Sequence, residues 1–402
     1  MYLSDLRLTN FRNYASCELQ LPPGPVVFLG RNGQGKTNLV EGAAYLSSLS
    51  SHRVTNDAPL VREGEAAALV SGRVVRDARS IALQVEIVPG RANRAWLNRS
   101  PVRRAREILG YARVVTFAPE DLALVRGDPD RRRRYLDDLL VLRSPRMAAV
   151  RADYDKALRQ RNALLRTAGE GRGYGSAEPA GLREWDEALA SLGGQLAAAR
   201  CALVDQLATR VDQTYATVAP DSGVARIRYQ PSSRLSGERS SGGPTGGPPG
   251  GAEAFDPASW CEVLLAALRG HRREELARGV TVVGPHRDDL EIELSGRSAK
   301  GYASHGEGWS LALALRLASY GLLTDDWADT PVLVLDDVFA ELDAGRRARL
   351  AHLALEAEQV LVTAAVAADV PDALRGVRCD VESGSVTSAG SLATGPSGEN
   401  QP

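Results

Sequence analysis

Apolar and polar residues roughly alternate at the start of the chain. Leu3, Leu6 and Leu8 fall among Ser4, Asp5, Arg7 and Thr9, a strand pattern. Residues 26–29 (Val-Val-Phe-Leu) form a short apolar run that stops at Gly30, as a buried strand would. The spacing of Leu39, Val40, Ala43 and Leu46 then predicts a helix starting near Lys36. Further strands are expected at 68–75, 81–88 and 114–117. The texture changes after that. Asp128-Pro129 is a cap and first-turn pair, followed by a stripe of Leu136, Leu139 and Leu140. Ser144-Pro145 repeats the signal and predicts a helix carrying Met147, Val150, Tyr154 and Leu158. The longest periodic run is Leu182, Trp185, Leu189, Leu192, Leu196, Ala199 and Leu203, extended by Leu207, Val211 and Tyr215. Its alternating steps of three and four are those of a helical seam. Gly193-Gly194 weakens the helix in its middle. A compact helical lobe or short arm is expected. Residues 236–253 are Gly, Pro and Ser-rich and predict a flexible loop. Asp256-Pro257 caps another helix, with Trp260, Val263, Leu264, Ala267 and Leu268 on one face. Strands are expected again at 280–283 and 290–294. From 383 onward the chain is small and polar, and a disordered tail is expected.

Composition narrows the class. The 402 residues suffice for two or three domains. No apolar window is long enough for a membrane span, and the first residues lack the parts of a signal peptide. Cys17, Cys201, Cys261 and Cys379 are scattered and form no CxxC pair, which fits a reducing cytosol better than a disulfide frame or a zinc site. The formal net charge of −1 gives no bulk attraction to nucleic acid. Lys36, Lys156 and Lys300 are the only lysines among 49 basic residues. Codon use in a GC-rich genome accounts for that bias. A lysine kept at position 36 against it points to a need for a compact ammonium.

Gly30-Arg31-Asn32-Gly33-Gln34-Gly35-Lys36-Thr37 matches GxxxxGK[ST], between an expected strand and an expected helix. Its glycines let backbone N–H groups turn toward a phosphate at a helix N-terminus. Lys36 is placed to reach the β- and γ-phosphates, and Thr37 to ligate Mg²⁺. Near the other end, the apolar residues 332–335 lead into Asp336-Asp337. Asp336 is expected to hold the metal, and Asp337 to orient or deprotonate an attacking water. Lys36 and Asp336 stand 300 positions apart. The ends of the chain must therefore meet, and what lies between must loop out.

Ser304-His305-Gly306-Glu307-Gly308 precedes a strongly apolar helix at 311–323, and Glu341-Leu342-Asp343 follows the acidic pair. Each alone reads as an ordinary helix start. In the order phosphate loop, long insertion, Ser-x-Gly, acidic strand, Glu-Leu-Asp, they resemble the ABC-type ATPase heads of the SMC superfamily. That resemblance implies that Ser304 and Gly306 cap a nucleotide bound by a second copy, so that ATP drives dimerisation.

The motifs Leu8-Thr9-Asn10-Phe11-Arg12-Asn13-Tyr14, Gly33-Gln34-Gly35-Lys36-Thr37-Asn38, Ala118-Pro119-Glu120-Asp121-Leu122, Gly284-Pro285-His286-Arg287-Asp288-Asp289 and Leu335-Asp336-Asp337-Val338-Phe339 resemble those of the RecF family of bacterial recombination mediators, over about residues 1 to 380. The resemblance implies a cytoplasmic protein of DNA damage repair, replication and the SOS response. It implies a weak, DNA-stimulated ATPase that binds ATP, Mg²⁺ and double-stranded DNA and dimerises with ATP bound. It also implies action with RecR, and indirectly RecO, to load RecA at single-strand gaps. Arg12, Asn13 and Asn38 would lie near the nucleotide. Lys36, Asp337 and the second copy's Ser304 would carry the chemistry. This chain departs from the family at Glu307 and Trp309, where Gln and a basic residue are usual. A phosphate repels an acid, so Glu307 is expected to point away or to weaken the contact across the dimer.

Duplex DNA requires basic side chains on one surface. The run Arg131-Arg132-Arg133-Arg134 is the first candidate, beside the group Arg99, Arg103, Arg104, Arg106 and the group Arg269, Arg272, Arg273. No aromatics interleave them, which disfavours a single-strand stacking platform. The fold class expected is α/β: an ABC-type P-loop ATPase head (1–118 and 280–382) split by a mainly helical second domain (119–279). A transporter cassette, a P-loop metabolic kinase and an ATP-binding scaffold without turnover remain open alternatives.

Overall fold

The computed structural model describes residues 1–170, 179–220, 222–233, 252–327 and 329–388. In chain order the elements are β1 (Tyr2–Phe11), β2 (Tyr14–Gln20), β3 (Gly24–Leu29), α1 (Lys36–Ser48), β4 (Ala68–Arg76), β5 (Arg79–Ile87), β6 (Arg94–Leu97), β7 (Ser100–Pro101) and β8 (Val114–Phe117). Then come α2 (Leu122–Arg126), α3 (Pro129–Arg143), α4 (Met147–Glu170), α5 (Leu182–Val218), β9 (Ala225–Gln230), α6 (Pro257–Gly270), α7 (Arg272–Arg278), β10 (Asp289–Leu294), β11 (Arg297–Ser298), α8 (Ala299–Tyr302) and α9 (His305–Trp327). The chain closes with β12 (Val332–Asp336), α10 (Ala344–Ala354), β13 (Gln359–Ala364), β14 (Val377–Glu382) and β15 (Ser385–Ser388). It divides into two compact units, one of residues 1–119 with 329–402 and the other of 120–328.

The first unit holds two sheets. One is antiparallel, in the order β2-β1-β4-β5-β6-β7. The other, β15-β14-β3-β13-β12-β8, is parallel except for its β15 edge. Helix α1 packs on both, and Leu39, Val40, Ala43 and Leu46 share one core with Leu6 and Leu8 of β1, Val70 of β4, Val26 and Phe28 of β3 and Val334 of β12. Gly42 lets α1 approach β1 closely: a Cβ there would stand 2.7 Å from Leu8. A helix apolar on two sides is one held between two layers. β13 lies between β3 and β12, with Thr363 opposite both Phe28 and Asp336. Two sheet steps of roughly 4.8 Å thus bring the start and end of the chain together.

The second unit packs α4, α6 and α9 against α5, with the small sheet β11-β10-β9 alongside. Helix α5 runs unbroken through Gly193 and Gly194, contrary to the weakening expected there. The glycines serve packing: a Cβ on Gly194 would lie 2.6 Å from the Pro257 carbonyl oxygen, and one on Gly193 would lie 2.9 Å from Leu264. Arg161, fully buried, donates to Asp186, Glu275 and Thr281. Arg200, also buried, donates to both Asp137 carboxylate oxygens and to the Pro285 carbonyl. Such pairs tie helices together because removing one partner strands the other charge out of water.

Other expectations change as well. Segment 280–328, read as the resumption of the head, groups with the second unit, because β10 pairs with β9 and α9 packs on α5. Residues 280–283 are not a strand. The Thr281 and Val282 amides donate to the side chains of Asn162 and Glu275 rather than to a ladder. Residues 385–388 of the expected disordered tail form β15 on β14, while 389–402 lie outside the described residues. So does nearly all of the loop expected at 236–253.

His286 shows how the motif at 284–289 is used. The Tyr154 hydroxyl and His286 Nδ1 are hydrogen-bonded at 2.7 Å, and Nε2 lies 3.2 Å from the Thr281 carbonyl, which only accepts. Burial disfavours the charged ring, and in the neutral ring the carbonyl at Nε2 places the proton there. Burial first, and then the charges of Arg287, Arg133 and Arg161, push it down to about 4, against a hydrogen bond to Thr281 that works the other way. Between about pH 6.5 and 4 the unfolded chain binds a proton that the folded chain refuses, so stability falls as pH falls through that window, by up to about 3 kcal/mol. Urea unfolding of His286→Gln should show a shallower loss than wild type between about pH 6.5 and 5. Equal slopes would mean that the ring is not held neutral.

Candidate nucleotide site

The loop 30–37 leaves β3 and enters α1. Gly33 and Gly35 adopt φ of +82° and +115°, which L side chains rarely adopt. A Cβ on Gly35 would also strike the Asn13 amide at 2.6 Å. Arg31, Asn32 and Gly33 are exposed, while Lys36 is 3% exposed. Its ammonium is 3.4 Å from both the Arg31 carbonyl and Asn32 Oδ1, and 3.7 Å from Asp337 Oδ2. A buried amine facing oxygens at these long distances, inside a turn at a helix N-terminus, suits a polyanion that replaces them.

The Thr37 hydroxyl donates to Asp336 Oδ1 at 3.0 Å. The Thr363 hydroxyl donates to the same oxygen at 2.6 Å and accepts the Asp337 amide at 2.9 Å. One threonine on the middle strand thus orients Asp336 and anchors Asp337, whose φ is +50°. Among the described residues no group of three His, Cys, Asp or Glu could form a metal cage. A hydroxyl beside one carboxylate is the partial oxygen set that suits Mg²⁺, whose other positions go to phosphate and water.

Two hairpin turns grip the loop. From the β1–β2 turn, Asn13 Nδ2 donates to the Gln34 carbonyl at 3.0 Å, and Asn13 Oδ1 accepts from Asn38 Nδ2 at 2.8 Å. The Tyr14 hydroxyl donates to the Gly35 carbonyl at 3.1 Å. From the β14–β15 turn, the Ser383 amide donates to Gln34 Oε1 at 2.7 Å and the Gly384 amide to the Gln34 carbonyl at 3.2 Å. Arg12 does not touch the loop. Its guanidinium donates to both oxygens of the buried Glu41 at 2.8 and 2.6 Å. Burial alone would raise the Glu41 carboxyl, but hydrogen bonds from Arg12 and Ser51 and the charges of Arg12 and Arg53 carry it below the usual carboxylate value.

The family model described as the RecF/RecN/SMC N terminal domain matches residues 2–385. The DNA replication and repair protein RecF of Kineococcus radiotolerans is 54% identical over 384 residues, covering 94% of this chain and 97% of the relative. That of Beutenbergia cavernae is 55% identical over 395 residues, covering 96% and 99%. The chain belongs to the RecF family. Among solved structures, the recombination mediator protein RecF with ATP, in the RecFOR pathway, superposes with a TM-score of 0.83 at 27% identity over 97% of this chain and 98% of that one. An Smc head bound to the C-winged helix domain of ScpA, at TM-score 0.50 and 15% identity, is alike in fold. The fold is the mixed α/β ABC-type ATPase head shared by RecF and SMC proteins.

Glu307, the departure from the RecF pattern, has a local task. Its carboxylate accepts the Ser304 amide at 2.7 Å, and its own amide donates to Ser304 Oγ at 3.3 Å, a capping box at the start of α9. Trp309 is buried and donates from its indole to His305 at 3.1 Å. Gly306 is half-buried in the first turn of α9. Two of the four arginines expected on DNA are spent inside the second unit. Arg132 is buried, with both Asp289 oxygens and the Leu124 and Gly127 carbonyls around its guanidinium. Arg133 donates to the Asp288 carbonyl at 2.6 Å and to Asp130. Arg131 is exposed and Arg134 half-buried.

Sequence reading missed Thr363, Glu41 and the 383–384 turn. None carries a motif of its own. Their places follow only from sheet order and the hairpins. Thr363→Val keeps the shape but removes one donor to Asp336 and the side-chain acceptor for the Asp337 amide. It should destabilise the protein by about 1–3 kcal/mol in urea unfolding. An effect below about 0.5 kcal/mol would mean that the bridge contributes nothing.

Proposed function

We propose that this chain is an ATP-binding recombination mediator that dimerises with ATP bound. In this reading it hydrolyses ATP weakly, with stimulation by DNA. It acts in the cytoplasm on double-stranded DNA near single-strand gaps, with RecR and through it RecO and RecA. The observation that carries the nucleotide reading is the corner where Thr37 meets Asp336 at 3.0 Å beside the buried Lys36. Gly30 to Asn38 would surround the phosphates, Lys36 neutralising them and Thr37 with Asp336 holding Mg²⁺. When bound, the magnesium nucleotide supplies the phosphoryl group and a cation that offsets charge on its oxygens. Asp337 is anchored through its backbone by Thr363, so its carboxylate is held facing the loop to orient or deprotonate a water. Ser304 and Gly306 of a second copy would cap the nucleotide. Family membership sets aside the transporter and metabolic-kinase readings.

Size analysis with ATP, ADP and no nucleotide tests the dimer. Wild type should form a dimer with ATP only, and Lys36→Arg should remain monomeric throughout, because a planar guanidinium does not fit a site shaped for an ammonium. A wild-type monomer in ATP would sink the switch. The scaffold reading is separated by turnover: Asp337→Asn should lower hydrolysis about 10²-fold while ATP affinity holds. Unchanged hydrolysis would remove Asp337 as the base, and no phosphate release by wild type would favour the scaffold.

A further inference from the structure

The chain as a whole carries a net charge of −1, yet residues 79–106 hold seven arginines and one glutamate. They lie in the first unit, on the outer strands of its antiparallel sheet. β5 pairs with β6, and β6 with the short edge strand β7 through the turn at Asn98-Arg99. Both turn residues have positive φ, +49° and +69°. The Asn98 side chain and amide pin the turn onto Ala82, leaving Arg99 exposed at its tip. At the other end of the hairpin Val102 pairs back to Ala95, and the next two residues are the exposed Arg103 and Arg104.

The charge of this group is unspent. Arg132, Arg133 and Arg272 are engaged by acids of the second unit. Among the described residues, by contrast, Arg99, Arg103, Arg104 and Arg106 enter no ion pair. Arg94 meets Glu86 at 3.4 Å with 70% of its side chain exposed. The nearest other acid in sequence, Glu107, is occupied in accepting the Arg104 amide at 3.1 Å. Pro101 on the edge strand denies the amide that an added partner strand would need. The surface is therefore built for charge rather than strand addition. Trp96, the one aromatic of the segment, is half-buried, so bases find no stacking platform. Arg99 stands at the tip of the turn and Arg103 just past the end of β7, so exposed cations flank the short edge strand. Cations at separate points along one edge suit the successive phosphates of a duplex.

We propose that the β6–β7 hairpin, through Arg99, Arg103 and Arg104, is a phosphate-contacting surface for double-stranded DNA, read without regard to sequence. The inference rests on the duplex-binding part of the function proposed above and adds where the duplex lies. The arginines would position the duplex and carry no sequence information.

The test is binding of a labelled duplex to the full chain across a salt series, with ATP present. The triple variant Arg99→Ala/Arg103→Ala/Arg104→Ala should bind at least tenfold more weakly at about 0.1 M salt. Its slope of log affinity against log salt should be shallower by about 2.7, at roughly 0.9 for each phosphate left without its arginine. Arg131→Ala/Arg134→Ala serves as comparison and should change the slope less. ATP affinity and thermal midpoint should match wild type, and if the triple variant does not fold, Arg99→Ala alone should still cost about 0.9 in slope. If wild type binds duplex and the triple variant binds it with the same slope, this surface is overturned while duplex binding stands. If wild type binds no duplex in any nucleotide state, both fall. Wild-type binding of polyglutamate or of a single-stranded oligonucleotide as tight as that of duplex would also overturn the assignment.

Discussion

The candidate site depends on one strand order. β13 lies between β3, which ends in the phosphate loop, and β12, which ends in Asp336. Residues 300 positions apart in the chain thereby become neighbours two strands apart. Thr363 on the middle strand closes the gap with its hydroxyl. Every strand of this sheet from β14 to β8 runs parallel, so their carboxyl ends share one edge, where ligands of open α/β sheets bind. The two layers around α1 fix its N-terminus at that edge. The insertion between the ends is permitted because loop-closure entropy grows slowly with length and an independently packed unit repays it.

Much of this was legible because the motifs are local. The loop 30–37, the run 332–335 and the cap at Asp256 are short patterns whose context can be read in the same stretch, while Asp128 stands at the start of α3 without a side-chain cap bond. What stayed hidden was non-local. Thr363 looks like any threonine in an apolar strand, and Ser383-Gly384 like any small tail, until the sheet order places them. The segment 280–283 misled for the opposite reason. Its β-branched residues suit a strand, but buried Arg161 and Glu275 and half-buried Asn162 needed partners for their polar groups, and those claims outweighed propensity.

The arginine runs teach the same lesson about charge. Arg132 and Arg133 attract attention because four arginines stand together. Yet a run on a helix spreads around its circumference, and half of it faced acids within its own unit. The scattered arginines of 79–106 look weaker in sequence, but the β6–β7 hairpin leaves Arg94, Arg99, Arg103 and Arg104 exposed on or beside it. Net charge carries no information on this point, since folding decides which charges are spent internally.

Glu307 follows from the same accounting. The resemblance cast it as an obstacle, an acid where a phosphate should arrive. In the fold it completes a box with Ser304, and a carboxylate at a helix N-terminus is favoured by the exposed amides and the helix dipole. It therefore stabilises the start of α9 in the absence of any partner. The Glu307 carboxylate occupies the Ser304 amide, while the Ser304 hydroxyl accepts from the Glu307 amide and keeps its own proton to donate. In the proposed dimer, a phosphate that took the Ser304 amide would displace the carboxylate at a cost of about 1 kcal/mol, the contribution of a capping interaction, whereas one that took only the Ser304 hydroxyl would leave the box in place. In the proposed dimer, the Ser304 hydroxyl rather than its amide would therefore be the donor that reaches a second copy's nucleotide without opening the start of α9.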